Sequence, residues 1–291
     1  MQGTICKGIA GFYYVWSEGR MYECKARGKF RNKGIVPLVG DDVILSEDKS
    51  SKASDPSMLA GCIDEILQRK NEFDRPPVAN VDLVVIVTAV KEPNPLTYII
   101  DRMAVAAELS NTKIAICINK DDLGDAEILK ATYSGIYPVF AVSAKNGDGV
   151  AELKDFLKNK KTALCGPSGV GKSSLTNILL NKNVQTGEIS AKTLRGKNTT
   201  RHSELFAGDG FFLFDTPGFT SFETPQLEES ELQSYFPEFL QYVGKCRFAD
   251  CTHQNEPDCA IKNALSNGQI ANSRYDSYLQ MYKELKERKK F

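Results

Sequence analysis

Residues Ala163–Leu175 read ALCGPSGVGKSSL. Within them Gly166–Ser173, GPSGVGKS, satisfies G-x-x-x-x-G-K-[ST], with a short apolar strand expected before it and a helix, Leu175–Leu180, after it. Glycines at these spacings let backbone N–H groups close around phosphate oxygens, and the N-terminus of the following helix adds favourable partial charge. The pattern predicts a nucleotide site in which Gly166, Pro167, Ser168, Gly169, Val170, Gly171, Lys172, Ser173 and Ser174 surround the phosphates. Lys172 would reach the β- and γ-phosphates, and the Ser173 hydroxyl would ligate magnesium.

Outward from this loop, apolar strands alternate with amphipathic helices. Strands are expected at Leu83–Ala89, Ile114–Ile118, Val139–Val142, Ala163–Cys165 and Phe211–Phe214, and helices at Tyr98–Leu109 and Val150–Asn159. That alternation implies a parallel sheet covered on both faces, which binds ligands at the C-terminal ends of its strands. Three short motifs fall at such ends. Asp215–Gly218 reads DTPG, where Asp215 would hold magnesium through water and the Gly218 N–H would sense a γ-phosphate. Asn119–Asp122 reads NKDD: Asp122 would accept hydrogen bonds from guanine N1 and N2, Lys120 would pack over the base, and Asn119 would brace the loops. Adenine lacks that pair of donors, so a site built on this carboxylate rejects it. Ser143–Lys145 reads SAK, with the Ala144 N–H directed at guanine O6. Taken singly, DTPG and NKDD are also ordinary polar turns.

The order of these motifs is unusual. NKDD and SAK precede the phosphate loop, whereas a GTPase ordinarily places that loop first. Circular permutation accounts for this: Val150–Asn159 would run straight into the phosphate-loop strand and join the old termini, which in domains often lie close together.

Two further zones flank this one. Met1–Leu67 carries short strand-like stretches at Gly11–Trp16, Met21–Lys25, Asp42–Leu45 and Cys62–Leu67, separated by glycines and polar turns, which predicts a small OB-like β-barrel. Its basic segment Lys25–Lys33 is either an RNA contact or a solvated loop. From Pro225 to Phe291 the chain reads helical, with candidates at Glu228–Val243 and Asn272–Lys290. Between these helices Cys246, Cys251, His253 and Cys259 form C-x4-C-x-H-x5-C. Three thiolates and one imidazole suit one structural, tetrahedral zinc per chain, the alternative being buried cysteines beside a surface histidine.

Composition sets limits. With 291 residues the chain accommodates two or three domains, placed at 1–67, 68–224 and 225–291. Lysine plus arginine number 37 and aspartate plus glutamate 37, so RNA binding would rest on local patches rather than net charge. The N-terminus lacks a signal-peptide pattern and no segment approaches a membrane span, so a cytoplasmic protein with no membrane partner is expected. The eight cysteines show no secreted-type framework.

Barrel, the segment Arg75–Asp82 (RPPVANVD), permuted motifs and cysteine cluster together resemble the ribosome small-subunit-dependent GTPase A family, bacterial permuted GTPases, over essentially the whole chain. The resemblance implies a monomer that binds GTP and GDP, hydrolyses GTP and docks on the RNA of the small ribosomal subunit during late maturation. It places Asn198–His202 (NTTRH) as the first switch, with Thr200, or else Thr199, on magnesium and the γ-phosphate and Asn198 where many relatives carry histidine. Phe219 follows DTPG where many GTPases have a water-orienting glutamine, which makes His202 the candidate to orient water; the alternatives are that His202 contacts RNA or solvent and that a backbone carbonyl or ribosomal RNA orients the water. The rival readings are a nucleotide-dependent RNA-binding assembly factor with little turnover, a permuted GTPase of the large subunit, and a P-loop ATPase or kinase, against which NKDD speaks.

Overall fold

A computed structural model describes residues 1–32, 34–74, 76–181, 203–215 and 227–288. In chain order its strands are β1 (Gln2–Ile9), β2 (Phe12–Ser17), β3 (Arg20–Ala26), β4 (Asp42–Glu47), β5 (Leu59–Ile66), β6 (Glu72–Asp74), β7 (Pro77–Ala79), β8 (Leu83–Ala89), β9 (Lys113–Asn119), β10 (Val139–Ala141), β11 (Lys161–Cys165), β12 (Glu204–Ala207) and β13 (Phe212–Asp215). The helices are α1 (Gly28–Asn32), α2 (Thr97–Leu109), α3 (Glu127–Tyr133), α4 (Val150–Leu157), α5 (Lys172–Leu179), α6 (Pro237–Leu240), α7 (Ala260–Ser266) and α8 (Asn272–Arg288). Packing groups Met1–Val85, Gly147–Leu164 and Lys172–Thr220 into one unit, and Ile86–Asn146, Cys165–Gly171 and Ser221–Phe291 into another.

The first unit contains the expected barrel. β1 pairs with β2, β2 with β3, β3 in parallel with β5, and β5 with β4; β4 then pairs back onto β1 at Gly3↔Val43 and closes the ring of five. Closure removes the exposed edges that an open sheet would present. Ile5, Val15, Tyr22, Cys24, Phe30, Val43, Leu45 and Ile63 fill the interior. The basic segment at Lys25–Lys33 is not one loop: its first residues end β3, and α1 takes up most of the rest.

β1 continues outward. Lys7 pairs with Glu204 of β12, both as Cα partners and as an ion pair at 3.2 Å. β12 pairs antiparallel with β13, and β13 runs parallel to β11. The barrel, β12, β13 and the phosphate-loop strand β11 therefore form one hydrogen-bonded surface within this unit. Buried polar groups reinforce the join. Lys161, 8% exposed, donates to the Gly40 carbonyl at 3.0 Å and to Asp42 Oδ1 at 2.6 Å. Asp41 receives both arms of Arg69, at 2.7 and 2.9 Å. Asn80, within the RPPVANVD segment, accepts from the Lys70 N–H at 2.8 Å and donates to the Gly40 carbonyl at 3.1 Å.

In the second unit the apolar strand β9 runs parallel to β10 and is buried from Ile114 to Asn119, as a strand covered on both faces must be. Its C-terminal part gathers Leu232, Phe236, Phe239, Ile261, Tyr278, Met281 and Leu285 into one core with Val105 of α2. A buried ion cluster crosses this core. Arg274 of α8, with no exposed side-chain surface, grips both oxygens of Glu238 on α6 at 2.7 and 3.0 Å and donates to Asp101 on α2 at 2.7 Å. Tyr133 at the end of α3 donates to the same Asp101 oxygen at 2.8 Å, and the guanidinium lies 4.7 Å from the centre of the Phe236 ring.

The single helix expected over Glu228–Val243 is absent. A 3-10 turn, Leu232–Tyr235, and the one-turn helix α6 replace it. Pro237 is the cause: it forces the residue before it out of helical geometry, and Phe236 sits at φ −112°, ψ 94°. Among the described residues no helix is long and apolar enough to cross a membrane.

Candidate functional site

The second unit brings the guanine-type motifs together with the turn of the phosphate loop, Gly166 to Gly171. Asn119, 2% exposed at the end of β9, donates through Nδ2 to the Val170 carbonyl at 2.8 Å and accepts at Oδ1 from the Ala144 N–H at 3.0 Å. One side chain thus joins NKDD to both SAK and GPSGVGKS. The Ala144 N–H, expected at a base oxygen, is directed at Asn119, so a base oxygen would have to share it. Asp122 Oδ1 accepts from the Ser143 hydroxyl at 2.7 Å, and that hydroxyl receives the Asn146 N–H at 3.2 Å, which fixes its direction. Asp122 Oδ2 has Lys145 Nζ at 3.9 Å. Lys120 takes a left-handed backbone at φ 61° and donates to the Glu92 carbonyl.

Two glycines are obligatory in this loop. A Cβ on Gly166 would stand 2.1 Å from the Val87 carbonyl oxygen, and one on Gly171 would stand 2.3 Å from Asn119 Nδ2, at φ +142° and +90°. Pro167, Ser168, Gly169 and Val170 span the turn between them. Lys172 and Ser173 follow Gly171 directly as the first residues of α5, with Ser173 exposed, and Ser174 continues the helix. Asp215 is the last residue of β13. Thr200, His202 and Gly218 lie outside the described residues, as do Asn198, Phe219 and Arg75.

The second cluster is equally close. The ligand atoms of Cys246, Cys251, His253 and Cys259 all lie within 4.8 Å of one another. Cys246 Sγ is 3.9 Å from Cys259 Sγ, and His253 Nδ1 is 3.6 and 3.4 Å from these two sulfurs. Tetrahedral zinc, with Zn–S of about 2.3 Å and Zn–N of about 2.0–2.1 Å, sets its ligand atoms about 3.6–3.8 Å apart, so the donor set fits. Burial pushes the Cys251 thiol up to about 12 and raises Cys259, and it lowers His253. A bound cation would reverse the order for the thiols, because it stabilises the thiolate directly.

The loop carrying these ligands is held by groups that the spacing does not reveal. Tyr275 donates to the His253 carbonyl at 2.6 Å and Tyr278 to the Thr252 carbonyl at 3.1 Å. Burial would raise Glu256, but hydrogen bonds from the Thr252 side chain and from the main chain of Thr252 and Gln254 outweigh it and hold the carboxyl at about 2. The aromatic residues Tyr275, Tyr278 and Tyr282 recur at helical spacing, a pattern that signals a core stripe but not what its hydroxyls hold.

A glycine-cornered phosphate loop locked to a guanine-type loop from an earlier strand defines a P-loop GTPase in circularly permuted order. The RsgA GTPase family model matches residues 66–225, and the RsgA N-terminal domain model matches residues 2–54. A small ribosomal subunit biogenesis GTPase RsgA of Caldanaerobacter subterraneus subsp. tengcongensis is 45% identical, covering 100% of this chain and 97% of its own length. The protein of the same name from Agathobacter rectalis is 43% identical with both chains covered in full. Among solved structures, YjeQ from Thermotoga maritima superposes with a TM-score of 0.82 at 39% identity over 98% of each chain. YloQ, described as a circularly permuted GTPase, gives 0.81 at 35% identity, over 99% of this chain and 95% of its own. The chain belongs to the RsgA GTPase family.

Proposed function

We propose that the chain hydrolyses GTP to GDP and phosphate and acts in late maturation of the small ribosomal subunit. The observation that carries the guanine assignment is the Asn119 bridge, which holds phosphate loop and base loop together while Ser143 orients the Asp122 carboxylate. The relatives named for small-subunit biogenesis, matched along the full chain, support the ribosomal assignment.

In this reading the backbone from Gly166 to Ser174 cradles the phosphates, and Lys172 neutralises charge that builds on the β–γ bridge. Ser173 and Thr200 would ligate magnesium, Asp215 would hold it through water, and the Gly218 N–H would meet the γ-phosphate. Lys120 and Lys145 flank the base. Magnesium, when bound, supplies electrostatic stabilisation of the transferring phosphoryl group. The Phe219 side chain cannot orient water, so His202 is the candidate to do so when the ribosomal subunit docks. The barrel, residues 1–67, and the C-terminal domain, residues 225–291, contact ribosomal RNA, and one structural zinc holds the latter. The protein is a cytoplasmic monomer.

Asp122→Asn tests the base assignment. An amide at this position donates to the C2 oxygen of xanthine, so GTP affinity should fall and xanthosine triphosphate affinity should rise in direct titrations. Unchanged GTP affinity would remove Asp122 from the base site.

A further inference from the structure

The buried histidine of the cysteine cluster has two ring nitrogens with different tasks. Nδ1 faces the sulfurs of Cys246 and Cys259 at 3.6 and 3.4 Å. Nε2 points the other way and meets Gln233 Oε1 at 2.7 Å. His253 is 2% exposed, so solvent does not serve this nitrogen. The ring is lodged against Phe239 and Tyr278, with centroids at 6.4 and 6.1 Å. Those rings and the Tyr275 hydroxyl on the His253 carbonyl fix where the imidazole sits. None of them selects which nitrogen carries the proton.

Gln233 does. Its Nε2 donates to the Ser230 carbonyl at 3.3 Å, a group that only accepts, and this turns the amide oxygen toward the imidazole. An amide oxygen only accepts as well, so the proton belongs on His253 Nε2 and the lone pair on Nδ1. The glutamine is itself anchored, because it lies on the turn Leu232–Tyr235, which begins at the fully buried Leu232 and is followed by the fully buried Phe236. We propose that Gln233 is the positioning residue of the metal centre, fixing the His253 tautomer that presents an unprotonated Nδ1 alongside the three cysteines. The inference rests on the reading that the cluster holds zinc. Outer partners of this kind orient metal-bound histidines, and their removal typically weakens metal binding about 10–100-fold.

The test uses the full-length protein loaded with zinc. Elemental analysis first establishes the metal. Long-range nitrogen–proton NMR of the His253 ring then reports its tautomer, and chelator competition gives the zinc affinity of wild type, Gln233→Leu and Gln233→Glu. The expected results are a protonated Nε2 in wild type, a loss of about 10–100-fold in zinc affinity for Gln233→Leu, and affinity at or above wild type for Gln233→Glu, which keeps an acceptor. GDP affinity should stay unchanged in both variants. A protonated Nδ1, zinc binding by Gln233→Leu within about threefold of wild type, or equal weakening in both variants would overturn the proposal. Should Gln233→Leu not fold, the ring tautomer and Gln233→Glu decide it. Wild-type protein without zinc would instead refute the metal reading itself, and the proposal with it.

Discussion

Asn119 and Gly171 show how one contact makes two residue types obligatory. The Asn119 amide sits where a β-carbon on residue 171 would fall, so the loop closes only because Gly171 has none. Gly171→Ala must either dislodge Asn119 from Val170 and Ala144 or move the loop, and it also places a side chain at φ +90°. Nucleotide affinity should fall at least about tenfold, with stability lowered by about 1–3 kcal/mol from the backbone strain. GDP titration and denaturant unfolding check both, and wild-type affinity would show that the bridge does not shape the site. The motif residues that meet here were legible because each is a chemical requirement expressed at a strand end. That the Ala144 N–H faces Asn119 was not legible, since the direction of a main-chain donor depends on how two loops pack.

At the scale of elements, four helices depend on one guanidinium. Arg274 offsets the charges of Asp101 and Glu238 in a site without solvent. Arg274→Met would keep the volume and strand both carboxylates, which should destabilise the protein by about 3–5 kcal/mol. Urea unfolding measures this, and a loss under about 1 kcal/mol would mean that the cluster relaxes by other means. No spacing in the sequence announces such a cluster, because Arg274 and Asp101 are remote in the chain and each reads as a surface residue of an amphipathic helix. Strands were more readable than helices. β8 and β9 are apolar runs, and their length and β-branched content identify them. β1 has no strand signature in the sequence because Thr4, Lys7 and two glycines break its pattern, although Thr4 finds Asp42 and Lys7 finds Glu204. Glu228–Val243 does not form one helix because Pro237 interrupts it. The short helix α7, starting directly after Cys259 of the cysteine and histidine cluster, is too brief for periodicity to detect.

For the whole molecule, the permuted order carries the most information. It places the phosphate-loop strand β11 and the later strand β13 in the unit that also builds the barrel, with β12 hydrogen-bonded to barrel strand β1. Thr200 and His202, the switch residues of the proposed reading, precede β12 in sequence, and β12 pairs with barrel strand β1. In the proposed reading Phe219 stands where many GTPases have a water-orienting glutamine, so hydrolysis by the free protein is expected to be slow. The most direct test is the rate of GTP hydrolysis by the full chain at saturating GTP, alone, with small ribosomal subunits and with large ones. The account predicts slow turnover alone, stimulation of about a hundredfold or more by small subunits, and none by large subunits. Equal rates in all three conditions, or stimulation by large subunits instead, would contradict it.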